Sequence, residues 1–243
     1  MKRILNHLGT DWYKYLLELI VITTGILGAF ALNNWNDHRK DLAEEQVILK
    51  GLKIEFEQNL EELSRDHKNN ELSLNSAGEL LQKNRQPTPA VVIDSLFGQA
   101  LDYRTFDPRR GVVSELIASG KLGLIQDVEL RYKLTQWSAE LADMEEDNIL
   151  RRSAYQLIIS TYNKFVSHRN IDHIHTRPYN TQKLFISSIA ESQKKYDNLM
   201  ASSEFDGALF EYFGSQTWIY ADEKALKEFM EKTLDLINRN LAI

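Results

Sequence analysis

Cysteine is absent from the chain. That excludes thiol nucleophiles, cysteine-ligated metals and disulfides. Positive charge is not in excess either: the net charge is -6 and the pI about 5.6. A general affinity for nucleic acid is therefore not expected. Alternating apolar and polar runs of the kind that make strands are missing. So are internal repeats and low-complexity segments. "ASGKLG" contains Gly-Lys, but not the earlier glycine or the following Ser/Thr of a phosphate-binding loop. No serine sits in G-x-S-x-G, so no hydrolase elbow is signalled. No segment carries a convergent set of reactive side chains. No catalytic residue, no cofactor and no enzymatic activity are expected.

What is present begins with one long apolar run. From Leu16 to Leu32 only Glu18 is charged. As a helix this run is roughly 26 Å long, close to the hydrocarbon thickness of a bilayer. Trp12, Tyr13 and Tyr15 precede it and Trp35 follows. Trp12 and Trp35 are then about 35 Å apart, the separation of two membrane interfaces. Lys2, Arg3 and Ala29-Phe30-Ala31 also suit a cleaved signal peptide. The run's length, the long stretch before it and the internal charge favour a retained span. Lys2, Arg3 and Lys14 on one side nearly balance Arg39, Lys40 and Lys50 on the other. The expected orientation has the N-terminus inside.

Glu18, Gly25 and Leu32 are seven apart and share a face with Ile22 and Ala29. Gly25 with Ala29, and Thr24 with Gly28, form small-xxx-small pairs that let helices approach in lipid. Glu18 either joins that contact or snorkels to the headgroups. Asn33 and Asn34 beside Trp35 exceed what anchoring needs. They suit a subunit contact or the cap of a broken helix.

The expected divisions are a short cytoplasmic N-terminus (1–15), a transmembrane helix (16–35) and an extracytoplasmic all-helical domain (36–243). A seven-residue series, Val21, Gly28, Trp35, Leu42, Leu49, Phe56 and Leu63, carries the span outward as a long helix. A kink is possible at Asn33 to Asp37, and a break after Asn69-Asn70. Pro87 and Pro89 end this region. Short helices follow at Ala90 to Leu101 and Val112 to Ser119, the second closed by Gly120. Asp107 to Gly111 is a loop, and Pro178 marks a later one.

Asp127 is a plausible N-cap for a helix of some forty residues. Its register runs through Leu130, Leu134, Trp137, Leu141 and Met144. It meets the polar Asn148 and Arg151, then resumes with Tyr155, Ile158, Tyr162 and Phe165. The C-terminal part gives Phe205, Leu209, Tyr212 and Ile219, then Leu226, Phe229, Ile237 and Leu241, with Asp222 a possible cap. These patterns predict an all-α fold: one transmembrane helix running into a long helix, followed by an antiparallel helical bundle.

"GILGAFALNNWND" (Gly25 to Asp37) resembles the membrane-exit signature of a family of uncharacterised single-span bacterial proteins. Those read roughly G-I-L-I-A-L-x-x-N-N-W-N, with a glutamate earlier in the span. "SELIASGKLGLIQDVELRYKL" (Ser114 to Leu134) is similar to the same family's second signature, S-G-x-L-x-x-I-x-(D/N)-x-x-L-R. The resemblance covers roughly half the chain. It implies a bacterial inner-membrane location with the N-terminus inside, but no activity. The chain departs in its less basic start and in Gly28, where the family prefers an aliphatic residue.

Three other clusters carry weaker chemistry. His168, His173 and His175, beside Asp172, offer metal-ligand types. Their spacing matches no established motif, and a polar loop is the expected reading. Glu44, Glu45, Glu55, Glu57, Glu61 and Glu62, and separately Glu140, Asp143, Glu145, Glu146 and Asp147, read as the wet faces of helices. Arg109 and Arg110 suit a solvated loop or an anionic partner.

The functional expectation is a membrane-anchored scaffold or accessory subunit in contact with the lipid bilayer. It would form a homo-oligomer or pack against a membrane-protein partner. One alternative is a homo-oligomeric channel with the span at its axis. The other is an extracytoplasmic ligand-binding sensor that needs a partner for output.

Overall fold

One helix organises the molecule. In the computed structural model, which describes residues 2–84, 86–167 and 192–241, with side chains from residue 12 onward, α1 spans Lys2–Gln82. Its 81 residues make a rod about 120 Å long. Neither asparagine cluster breaks it. Asn33 donates to Asp37 one turn on (3.0 Å), so the side chain bonds along the helix surface. Asn69 and Asn70 instead reach sideways to the backbone of a neighbouring loop. An asparagine disfavours helix by competing for nearby backbone; an outside partner removes that competition.

From the top of α1 the chain turns back and descends along it. α2 (Ala90–Leu101) and α3 (Gly111–Ala118) flank an extended stretch, and a 3-10 turn (Lys121–Leu124) follows. Polar side chains of α1 hold this descent in register. Ser73 donates to the Ala100 carbonyl and Asn69 to that of Asp102. Asn70 grips Arg104 at both backbone atoms, with N–H to Oδ1 at 2.7 Å and Nδ2 to O at 3.0 Å. Asn59 grips Arg109 in the same way, both contacts at 2.8 Å. Glu55 accepts from the first amides of α3, Val112 (2.7 Å) and Val113 (3.3 Å). Glu45 accepts from the Gln126 amide at 2.6 Å. Glu45 and Glu55 are buried. They correct the expectation that all the α1 acids form a wet face. Each was recruited by backbone donors that α3 and the 3-10 turn leave unpaired.

α4 (Val128–Tyr162) climbs the bundle against α6, starting from Asp127, which accepts from the Leu130 amide at 2.9 Å. The expected N-cap is therefore present. Gly120, at φ 71°, supplies the left-handed turn after α3. α5 (Gln193–Ala201) is short, and α6 (Ser203–Leu241) descends the full height of the bundle. Asp222 lies in the middle of α6 and caps nothing, which corrects that expectation. α6 packs along both α1 and α4. Phe56 of α1 meets Trp137 of α4 with ring centroids 5.0 Å apart.

The core has two apolar parts. The lower gathers Leu49, Leu52, Phe56 and Leu63 with Trp137, Phe229 and Ile237. The upper gathers Ala77, Leu80 and Phe97 with Ile158, Tyr162, Phe205 and Tyr212. Asp94 of α2 ties the upper part together, accepting from Tyr162 (2.5 Å) and Tyr196 (2.7 Å). The lower end closes where Gln46 meets the Asn240 carbonyl and Asn240 meets Asp127.

Candidate functional site

The expected span lies on α1, outside the bundle. From Trp12 to Trp35 every side chain is exposed, and this part of α1 is long and apolar enough to cross a membrane once. Glu18, Thr24, Gly25, Gly28 and Ala29 lie on this free stretch. A Cβ added at Gly25 or Gly28 would meet nothing. Trp12 and Tyr15 stand at one end, and Asn33, Asn34 and Trp35 at the other. Arg39 lies over the Trp35 ring, 5.5 Å from its centroid. The bundle's lowest contacts begin at Glu44, so a bare neck of about 14 Å separates it from Trp35. Within the described residues nothing of this chain covers the span face.

The remaining sequence candidates separate. Lys121 of "ASGKLG" is exposed and pairs with Glu44 at 2.7 Å. Arg109 pairs with Glu62 at 2.8 Å. His168, Asp172, His173 and His175 lie outside the described residues. Among the described residues no group of three metal-ligating side chains is gathered.

A second site was not anticipated. Between the two apolar cores each long helix places polar residues where its core register calls for apolar ones. α1 contributes Asn70, the next member of its seven-residue series after Leu63. α4 contributes Asn148 and Arg151. α6 contributes Gln216 and Glu223. All are buried.

Arg151 is the centre of this layer and 1% exposed. Its Nη2 donates to the Arg104 carbonyl (3.0 Å) and to Asn148 Oδ1 (2.6 Å). Tyr103 lies against the guanidinium, 4.2 Å from ring centroid to Cζ. Nε and Nη1 have no hydrogen-bond partner. Burial pulls the Arg151 pKa down, opposed by the charge of Glu223. Glu223 itself accepts from Asn70 (2.5 Å) and contacts His67 Nδ1 (3.1 Å). Burial raises its pKa, against those two hydrogen bonds and the charge of Arg151. His67 stacks on Tyr220, centroids 4.4 Å apart, and is the layer's partly exposed edge. On the far side Tyr212 donates to the Ala100 carbonyl (2.7 Å) and accepts from Gln216 Nε2 (2.5 Å). The Gln216 Oε1 atom has no donor.

The sequence carried a signal for this layer: Asn148 and Arg151 interrupt an otherwise apolar register. It had no signal for their partners, because Asn70 and Glu223 sit about 80 and 70 residues away along the chain.

The model of DUF6090, a family of unknown function, matches residues 18–173. The chain belongs to that family. The matched region holds the span from Glu18 onward, Asn59, Asn69, Asn70 and Arg151, and ends before α6. Comparison with curated proteins and with solved structures found no match.

Proposed function

We propose that this DUF6090 protein is a membrane-anchored helical scaffold or accessory subunit. In this reading α1 crosses the bacterial inner membrane once, with its N-terminal end in the cytoplasm. The bundle stands in the periplasm on the neck. One observation carries the reading. The apolar stripe of α1 is covered by α6 and the descending α2–α3 segment, with side chains of α4 such as Trp137 reaching it, from Leu49 upward, yet continues uncovered through the neck and span. Lipid can cover Leu and Ile there. It gives no partner to Glu18, and no reason for open helix surface at Gly25 and Gly28. A second helix supplies both, either from another copy or from a different membrane protein.

The test is the native mass of the full-length protein, extracted from its own membrane in mild detergent. A repeated integer multiple of 28.2 kDa means self-assembly. A mass that includes another polypeptide means an accessory subunit. A bare monomer removes the proposal. Gly25→Leu should dissociate either assembly while the bundle stays folded; an unchanged mass would count against the span face as the contact.

A further inference from the structure

We infer that the polar layer is a binding site for a small carboxylate, seated on Arg151. A guanidinium stays charged even in a protein interior. Removing it from water costs several kcal/mol unless its donors are satisfied and its charge is opposed. Here a single nitrogen, Nη2, makes all of the hydrogen bonds that Arg151 has within the described chain, and both acceptors are neutral. The acid of the layer, Glu223, opposes that charge but spends its hydrogen bonds on Asn70 and His67 and gives none to Arg151. Native interiors leave few buried donors unpaired. The free N–H groups at Nε and Nη1 therefore call for an acceptor from outside the described chain, which a carboxylate supplies in the bidentate geometry a guanidinium favours.

The Tyr103 ring closes one face of the guanidinium and leaves its edge to the ligand. Entry would be at His67, the one member of the pair with Glu223 that reaches solvent.

A purely structural layer would also set the register of three helices, but it would not respond to solutes. The experiment is thermal unfolding of the full-length protein in detergent with formate, glycolate or chloride at equal ionic strength. Glycolate and formate should raise the melting temperature saturably, by roughly 2–4 °C at several times the dissociation constant. Chloride should not. Arg151→Lys keeps the charge but loses the planar donors, and should abolish the rise. Arg152→Met, at the exposed neighbouring arginine, should keep it. Equal effects of all three anions, or a rise that survives Arg151→Lys, would overturn the site. If Arg151→Lys fails to fold, calorimetry of the unaltered protein decides: saturable heat with glycolate sustains the site, and none means that water alone serves these atoms.

Discussion

The lower and upper parts of α1 share one helix and one seven-residue stripe, yet they have opposite surroundings. Above Glu44 the stripe is core: Leu49, Phe56 and Leu63 are fully buried. Below it, Leu42 is 40% and Trp35 62% exposed. The acids divide similarly. Glu45 and Glu55 are buried under backbone donors, while Glu18 has no such partner in the described chain. Periodicity states which face must be covered; it does not state by what. In the bundle the cover is α6 and the α2–α3 segment, with side chains of α4. On the span, lipid and a second helix are the cover our proposal supplies.

The comparison breaks most visibly at the lower core. Trp137→Ala removes the ring that packs on Phe56 and Phe229. It should cost about 3–5 kcal/mol, read as a lower urea midpoint by circular dichroism in detergent. Val21→Ala, on the same stripe within the span, should change bundle stability by less than about 0.5 kcal/mol. Equal losses would mean that the span is not energetically separate from the bundle.

A smaller effect tests the acids. Glu55→Ala leaves the Val112 and Val113 amides without their acceptor, at a cost of about 1–3 kcal/mol. Glu57→Ala, two residues on and exposed, should cost almost nothing. Similar midpoints for the two variants would refute the role given to Glu55 in starting α3.

Asp127→Ala should cost about 1 kcal/mol by removing the α4 cap. Hydrogen bonds from Asn240 and the Leu130 amide hold its pKa below the ordinary value. Its contribution is therefore present above the unfolded pKa and lost as the pH falls through the lower folded value. A cap deletion with the same cost at pH 3 and pH 7 would contradict this.

Much of the fold was legible because local signals agree with tertiary ones. Pro89, Gly120 and Asp127 bound their helices as their chemistry demands, and the apolar registers of α1 and α4 mark real core. Most of the errors have one physical source. Asn69, Asn70, Glu45 and Glu55 look like breakers or wet-face residues because their partners are distant in sequence: the carbonyls and amides of residues 102–126. Side-chain clamps of this kind reverse a residue's local preference. Asp222 misled in the opposite way: it resembles a cap, but Ile219, Glu223 and Leu226 carry the α6 face straight through it. The polar layer was half visible, in the interrupted register of α4. It became a site only when three helices brought their exceptions to one level.

Asp222 gives the smallest expected effect and the sharpest contrast with Asp127. Its pKa is pushed up to about 7, first by burial, then by a hydrogen bond and negative charge from Asp147, with Asp143 and Glu223 adding to it. The folded chain therefore holds a proton here that the unfolded chain releases near pH 4. The sign is the reverse of the Asp127 case. Stability from this group is fully present below about pH 4 and declines as the pH rises through about 7. Asp222→Asn keeps the shape and cannot ionise. Its melting temperature should match the unaltered protein at pH 4 and exceed it by a degree or two at pH 8, because Asp147 and Asp143 then no longer face a third negative charge. Partial exposure keeps the gain small. A difference that is constant with pH would mean that Asp222 and Asp147 ionise independently, and that the carboxylates between α4 and α6 are part of the wet surface after all.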